Sequence, residues 1–424
     1  MKDLFAPLSR IDKWAYGALA LSVIALLVHW RYGSYAIMLM AAIHIFRLVN
    51  TKKIGNPNLN GTARCGLWLM VAYWVLYVVS ALFSTDKGEA WKTVMVKLPF
   101  LVLPLILLSG DSGYLDRKRI RALFYLLIAM LDIRFIISLT ISMANILQGT
   151  PVTDAFKWEF DPLGLHHNYL GLYIVIAFAF LYTDIRHHWQ QRNRIWRTAI
   201  LLTIVALLLY MTFSGSRSAI ATTGALFVAA LTHIILIQKH YRSGVFILLA
   251  SMLFIGGILL VAPQTFSRFT SIVQKMKAGQ PGDDRVALAQ NALGALEGHW
   301  LWGYGSGDYM PALLSTYQKN GFQDGITFRY GSHNQYLETL LETGVIGLVI
   351  LLIMLLYPIV THLDKRRRHL LTAMLTIAIM SQIFFESMLN RSMAVQIITL
   401  CYCLMIIDAH REPSNNPLLH RNQS

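Results

Sequence analysis

The sequence predicts an all-α integral membrane protein with about twelve transmembrane helices. Three observations support this fold class. Hydrophobic residues make up 55% of the 424 residues, charged residues make up only 14%, and apolar runs long enough to cross a bilayer recur along nearly the whole chain. Soluble domains are less apolar and spread their charges more evenly. The first apolar run does not end in a small-residue cleavage site, so we expect it to stay in the protein as a helix.

The apolar runs divide the chain into two groups of helices around one long polar segment. In chain order the predicted transmembrane helices cover 14–30, 34–50, 65–83, 93–109, 122–147, 168–184, 198–213, 217–238, 245–262, 335–360, 370–388 and 394–409. The predicted organisation is one integrated domain: helices 1–9 in 1–262, a large, partly helical loop in 263–334, helices 10–12 in 335–410, and a tail in 411–424.

The net charge of +15 is explained by membrane topology. If the N-terminus is cytoplasmic, most of the basic residues fall in short cytoplasmic connections, as the positive-inside rule requires. Both termini are then cytoplasmic, and the 263–334 loop lies outside. No basic stripe is interleaved with aromatic residues on a soluble module, so we reject nucleic acid as a partner and expect the basic excess to attract anionic lipid. The three cysteines lie in apolar runs and suggest neither a disulfide framework nor a metal site.

The long loop is the best candidate for a functional region, because structureless connectors of such length are rare in compact folds. It contains the glycine-rich run Gly303–Gly307, which follows no strand and therefore predicts a tight turn rather than a nucleotide cradle. The same side of the membrane carries the 148–167 loop, the 213–218 turn and the 386–391 turn. Nearly all the informative polar residues thus face one side.

Three residues share one pattern, a basic or titratable side chain at the outer start of a helix: Arg217, Arg285 and His333. A helix N-terminus attracts anions, and a cation placed there opposes the helix dipole unless an anion joins it. Arg217 and Arg285 therefore suggest a phosphate or diphosphate clamp, since guanidinium groups bind such anions bidentately. His333 in this position is expected to stay neutral, the form that a general base needs.

Plainer interpretations stand beside these. A lone arginine at a membrane boundary is more often a snorkelling residue, and a lone histidine at a helix start is more often a cap. Asp283 and Asp284 favour capping over metal binding, and His166 and His167 suit either a substrate contact or a loop end. Charged residues inside apolar runs need a partner or a cavity; these are Asp132, Arg134, Glu338, Glu342 and Glu386.

Three motifs resemble those of the bacterial O-antigen ligase family. His333-Asn334, nine residues, then Gly344-Val345-Ile346-Gly347 is similar to the family's histidine signature. Arg217 in Ser-Gly-Ser-Arg-Ser-Ala and Arg285 in Asp-Asp-Arg-Val-Ala resemble its two arginines. The order of the motifs, the place of the long loop and the number of spans also agree.

This resemblance implies a GT-C-type glycosyltransferase of the bacterial inner membrane. Such ligases move a polysaccharide from undecaprenyl diphosphate onto a sugar of the lipid A core, with inversion and without a metal or other cofactor. It assigns the diphosphate to Arg217 and Arg285 and the acceptor hydroxyl to His333, as base or as positioning group. We further expect substrate contacts from Asn334, His167 and Arg329.

Other functions remain open. Related families include O-antigen polymerases and protein O-oligosaccharyltransferases; the short stretch after the last predicted helix favours a lipopolysaccharide ligase over the latter. A lipid-linked sugar transporter would place its binding groups near the bilayer midplane on broken helices. The candidates here gather at one membrane face, which favours an enzyme.

Overall fold

The computed structural model describes residues 8–51, 61–109, 114–151, 155, 164–242, 244–245, 248–249, 284–360 and 369–410. All regular secondary structure in these ranges is helical. Ten helical segments among them are long and apolar enough to cross a membrane by length and composition, and Leu370–Phe385 is a shorter apolar helix. The chain is thus an all-α integral membrane protein, as predicted. The ninth predicted span, the first part of the loop including Asp283, and the 411–424 tail lie largely or wholly outside the described residues.

The helices follow in the order α1 Arg10–Val28, α2 Trp30–Thr51, α3 Gly61–Phe83, α4 Lys87–Val96, α5 Pro99–Leu108, α6 Arg117–Leu147, α7 His167–His188, α8 Arg194–Ser214, α9 Arg217–Thr232, α10 Asp284–Ala295, α11 Tyr309–Lys319, α12 Gln323–Phe328, α13 Gln335–Val360, α14 His369–Phe385 and α15 Ser392–His410. A π-helical turn at His233–Ile237 prolongs α9.

Polar side chains set several of the helix starts. The side chains of Asp86, Asp116 and Asn193 accept hydrogen bonds from backbone N–H groups in the first turns of α4, α6 and α8. Such caps satisfy amide groups that have no partner inside the helix. Ser216 caps α9 in the same way. Gly215 ends α8 with a φ of 65°, a left-handed conformation that glycine adopts without strain.

Two helices form the centre of the membrane part. In α7 and α15, 78% and 83% of the residues in the most apolar stretch of the helix are buried, whereas in α8 and α9 less than a third of these residues are buried. The outer helices leave apolar side chains exposed, as contact with lipid requires. Helix α14 packs against α7, α9 and α13, so the ends of these four helices come together.

The fourth predicted span is broken into α4 and α5. The break falls at Lys97, just before Pro99, whose ring cannot continue a hydrogen-bonded helix. Lys97 is fully buried. Its Nζ lies 3.8 Å from Oε2 of Glu342 on α13 and 4.1 Å from the ring centre of Tyr77. The expectation that charges within spans find partners is therefore met at this position.

Helix α13 is interrupted at Gly344, which has φ 67° and ψ −166°. The interruption frees backbone groups, and the long loop satisfies them. The amide groups of Tyr304 and Gly305 donate to the carbonyls of Leu341 and Glu342 at 2.8 and 3.1 Å. The loop backbone thus fills the gap in a membrane helix.

Close backbone approach explains the glycines at this junction. A Cβ on Gly303, where φ is 69°, would lie 2.6 Å from the Leu341 carbonyl oxygen. A Cβ on Gly344 would collide with the Leu301 carbonyl group. The amide of Val345 also donates to the Trp300 carbonyl at 2.8 Å. No other residue type fits where two backbones meet this closely.

The next part of the glycine-rich run docks on the connection between α3 and α4. Ser306 N donates to Ser80 Oγ at 2.8 Å. The Asp308 carboxylate accepts from the amides of Thr85 and Asp86 at 2.6 and 2.9 Å. The run is a turn, as the sequence predicts.

The described part of the loop has a small apolar core of its own. Its buried residues are Leu288, Ala292, Ala295, Leu296, Leu313, Tyr317, Leu340 and Leu341, from α10, α11 and α13. Of the apolar residues in and just after α10, Leu288, Ala292 and Leu296 are buried, whereas Val286 and Leu293 are 50% and 43% exposed. The buried face of α10 is therefore narrower than the set of its apolar residues.

Candidate active site

The site begins at His333, directly before the start of α13. Its backbone has a φ of 46°, which is unusual for a residue with a side chain. Such conformations persist where the surrounding structure holds them, and they occur often at functional sites. His333 is half-buried.

A carboxylate beyond the end of α14 joins His333 to the other motifs. Oε1 of Glu386 lies 2.6 Å from Nδ1 of His333. Its Oε2 accepts a hydrogen bond from Nδ2 of Asn168 at 2.6 Å and lies 3.8 Å from Nη2 of Arg285. Glu386 thus brings together the histidine signature, the loop arginine and the start of α7.

Asn168 extends the arrangement to the start of α9. Its Oδ1 lies 3.4 Å from the hydroxyls of Ser216 and Ser218, the two neighbours of Arg217. Nε2 of Gln382 donates to the Ser218 hydroxyl at 3.0 Å and to the Asn168 carbonyl at 3.3 Å. The helix start that carries Arg217 is therefore fixed to the same polar cluster as Glu386.

A second buried carboxylate holds the backbone that precedes His333. Glu338 accepts from the amide and hydroxyl of Ser332 at 2.9 and 2.5 Å. It also accepts from the Tyr309 hydroxyl at 2.7 Å and from Nδ2 of Asn390 at 2.9 Å. These bonds fix Ser332, the residue directly before His333, to Tyr309 and Asn390 through one carboxylate. This restraint explains how His333 keeps its unusual φ.

The contact between His333 and Glu386 shifts the pKa of both groups. Burial opposes protonation of His333, but the hydrogen bond and the charge of Glu386 outweigh it and raise the pKa of the imidazole above its ordinary value. Burial likewise raises the pKa of Glu386, but His333 and Arg285 outweigh that effect and lower it. The shift at His333 is opposite to the one that the helix dipole alone would cause. The reason is a carboxylate more than fifty positions along the chain, which a helix-dipole argument does not include.

The predicted site residues fall into three groups. Arg285 and His333 both contact Glu386, and the helix start that carries Arg217 is held by Asn168 through Ser216 and Ser218. Asn334 is a helix cap: its Oδ1 accepts from the amides of Tyr336 and Leu337 at 2.9 and 3.2 Å. A substrate contact by Asn334 stays a prediction.

The third group is His167, at the start of α7, and Arg329, at the end of α12. His167 stacks on His166, with ring centres 4.1 Å apart, and directly precedes Asn168. Burial is the main cause that lowers the pKa of His166. Arg329 lines the same cavity as His333.

Sequence reasoning did not find Asn168 or Glu386 as site residues. One signal was available for Glu386, since a carboxylate at the end of an apolar run needs a partner. Its partner could not be identified without the fold. Asn168 carries no comparable signal. Within the ranges that the structure describes, no group of three or more His, Cys, Asp and Glu side chains is arranged to hold a metal ion.

Fold and site together define a multi-pass membrane protein whose polar chemistry gathers where the long loop meets the helix ends. A model of the O-antigen ligase family matches residues 202–352, which include Arg217, Arg285, His333 and the Gly344–Gly347 motif. Over this region the chain is similar to the O-antigen ligase family, as the sequence resemblance predicts, and the similarity supports a membrane enzyme of the O-antigen ligase and polymerase type. A comparison with curated proteins gives no match.

Proposed function

We propose that the protein is an inverting glycosyltransferase that transfers O-antigen polysaccharide from undecaprenyl diphosphate to a sugar hydroxyl of the lipid A core. The observation that carries this proposal is the position of Glu386 between His333 and Arg285, with hydrogen bonds continuing to the start of α9 at Arg217. A base and two permanent cations are what an attack on a sugar diphosphate requires.

In the proposed step, Glu386 orients the His333 ring through Nδ1, so that Nε2 takes the proton of the acceptor hydroxyl. The acceptor oxygen forms a bond to the anomeric carbon while the bond from that carbon to the diphosphate oxygen breaks. The electron pair of the broken bond stays on the diphosphate. Arg217 and Arg285 stabilise the charge that develops there, and each such contribution is worth about 10²–10³ in rate.

The proposed location is the bacterial inner membrane, with both termini cytoplasmic and the site facing the periplasm. The charge bias of the connections supports this orientation. The break in α13 does not favour a transporter, because the amides of Tyr304 and Gly305 occupy the carbonyls that it frees. A transporter would keep such groups for its substrate.

Transfer by the purified protein in nanodiscs tests the proposal, with a lipid-diphosphate glycan donor, a lipid A–core acceptor and EDTA present. We expect transfer by the wild type and a loss of about 10²–10³ in kcat for Arg217→Ala, Arg285→Ala and His333→Ala. Arg194→Ala is the matched control, because Arg194 also directly follows a helix cap but lies exposed at the start of α8.

Three results would change the conclusion. Lengthening of the glycan on its own lipid carrier would make the protein a polymerase. Full transfer by folded His333→Ala would remove the base assignment. No transfer by the wild type to any acceptor would reopen the transporter hypothesis.

A further inference from the structure

A polar cavity of about 320 Å³ opens beside His333. Its described walls come from α4, α7, α11, the segment that precedes α13 and the first turn of α13, and the turn between α14 and α15. His333 and Glu386 line it together with three cations, Lys92, Arg329 and Arg391. Ligand pockets usually measure about 300–1,000 Å³, so the volume suits a small part of a larger molecule, such as one or two sugar rings.

The cavity shares the base with the proposed reaction centre but not the cations of the diphosphate clamp. Neither Arg217 nor Arg285 is among its lining residues. A hydroxyl group in the cavity could reach His333, while the donor diphosphate occupies the arginines. This is the division of space that an acceptor subsite requires.

The acidic residues of the cavity wall already have partners. Glu338 accepts hydrogen bonds from Ser332 and Tyr309, and Glu386 is paired with His333. Glu89 forms an ion pair with Lys92 at 3.1 Å. Among the described contacts, none of these three carboxylates is paired with Arg329 or Arg391, so these two guanidinium groups are the lining cations that remain for an anionic ligand.

Both arginines are exposed at the cavity surface, and each is placed by the fold. Arg391 directly follows the turn that holds Asn390, and it interacts with Tyr169. Arg329 ends α12 with a φ of 49°, a left-handed conformation that is strained for a residue with a side chain. Four residues later His333 has the same unusual conformation.

We propose that this cavity is the acceptor subsite and that Arg329 and Arg391 bind an anionic substituent, a phosphate or a carboxylate, on the acceptor glycan. Guanidinium groups recognise both anions through paired, charge-assisted hydrogen bonds. The protein therefore selects acceptors by charge as well as by the position of the hydroxyl. This inference rests on the proposed function.

Transfer kinetics test the proposal with a synthetic acceptor disaccharide on a lipid anchor, made in neutral, phosphorylated and carboxylated forms. The variants are Arg329→Gln, Arg391→Gln and the double variant, all in the full-length protein. Lys319→Gln is the matched control, because Lys319 is an exposed cation of the same loop outside the cavity.

We expect the double variant to raise KM for the anionic acceptors about 10–100-fold more than KM for the neutral acceptor, with the KM for donor unchanged. The phosphorylated and carboxylated forms show which anion is preferred. Equal losses with neutral and anionic acceptors, or a change in donor KM, would overturn the proposal, and so would no change at all.

Equilibrium binding of the three acceptors without donor separates this proposal from the reaction. Binding that depends on the anion and on both arginines, without any transfer by the wild type, would refute the proposed function and leave the subsite standing. Transfer without charge-dependent binding would refute the subsite and leave the function standing.

Discussion

At the scale of single residues, Glu386 determines what His333 can do. Its carboxylate contacts the histidine, the loop arginine and Asn168, and it is 8% exposed. A base that donates one ring N–H to a carboxylate is held in one tautomer and orientation, the principle that the Ser-His-Asp triad illustrates. The pair also makes the imidazole more basic, at the cost of a smaller neutral fraction in acid.

The substitution Glu386→Gln tests this role through the pH dependence of transfer. A reaction that needs neutral His333 gains rate as pH rises through the pKa of the imidazole. Since Glu386 raises that pKa, its loss should move the acid limb of the kcat profile to lower pH. We also expect the plateau to fall about a hundredfold, because the ring is less well oriented.

Glu297→Gln is the control for this experiment, because Glu297 is an exposed glutamate of the long loop. Its profile should match that of the wild type. Superimposable profiles for Glu386→Gln and wild type would mean that His333 does not titrate as the base.

The sequence identifies the functional residues that act through their own chemistry but not those that act through a neighbour. Arg217, Arg285 and His333 are recognisable because each places an unusual side chain at a helix start. Asn168 and Glu386 acquire their roles only when the ends of α7 and α14 meet. That meeting depends on packing, which apolar runs do not specify.

At the scale of elements, α13 and the loop depend on each other. The helix supplies carbonyl groups, the loop supplies amides, and glycines on both sides permit the approach. The sequence predicts that α13 begins near residue 335, but not that Gly344 interrupts it. An isolated glycine in an apolar run is usually tolerated inside a helix, so the break is visible only together with Gly303.

Comparison of Gly303→Ala with Gly298→Ala tests this junction. Both glycines have a positive φ, at 69° and 79°, so both substitutions carry a strain of about 1–2 kcal/mol. A Cβ at Gly298 meets nothing within 4 Å, whereas one at Gly303 would meet backbone. We expect the free energy of unfolding of Gly303→Ala to be lower than that of Gly298→Ala by about 1–3 kcal/mol.

The measurement is thermal unfolding in detergent together with limited proteolysis of the loop. Faster cleavage and lower transfer activity should accompany the Gly303 substitution alone. Equal unfolding temperatures for the two variants would show that the close approach contributes nothing to stability.

At the scale of the whole molecule, α7 connects two polar clusters. Its first turn holds Asn168, and near its end Asp184 pairs with Arg121 and Arg192 at 2.7 and 2.8 Å. A helix of 22 residues is about 33 Å long, close to the thickness of a bilayer core. The candidate site and the arginine cluster therefore lie near opposite ends of α7, as the proposed orientation requires.

Labelling of single cysteines tests the proposed orientation. We expect Lys319→Cys in the loop to react with a membrane-impermeant maleimide in spheroplasts, and Gln190→Cys between α7 and α8 to react only after lysis. Cys65 is exposed and must first be replaced by serine, while Cys401 and Cys403 are buried. The reverse pattern would place the candidate site in the cytoplasm and contradict the proposed function.

The interruption of α13 also bears on how the protein is made. The residues that satisfy Leu341 and Glu342 are synthesised before α13 enters the membrane, and they must already be on the correct side. Before the loop docks, these carbonyls lack their partners from it, and an unsatisfied backbone group inside a membrane costs several kcal/mol. We therefore expect insertion of this helix and docking of the loop to be coupled in biogenesis, so that neither part can be exchanged by itself.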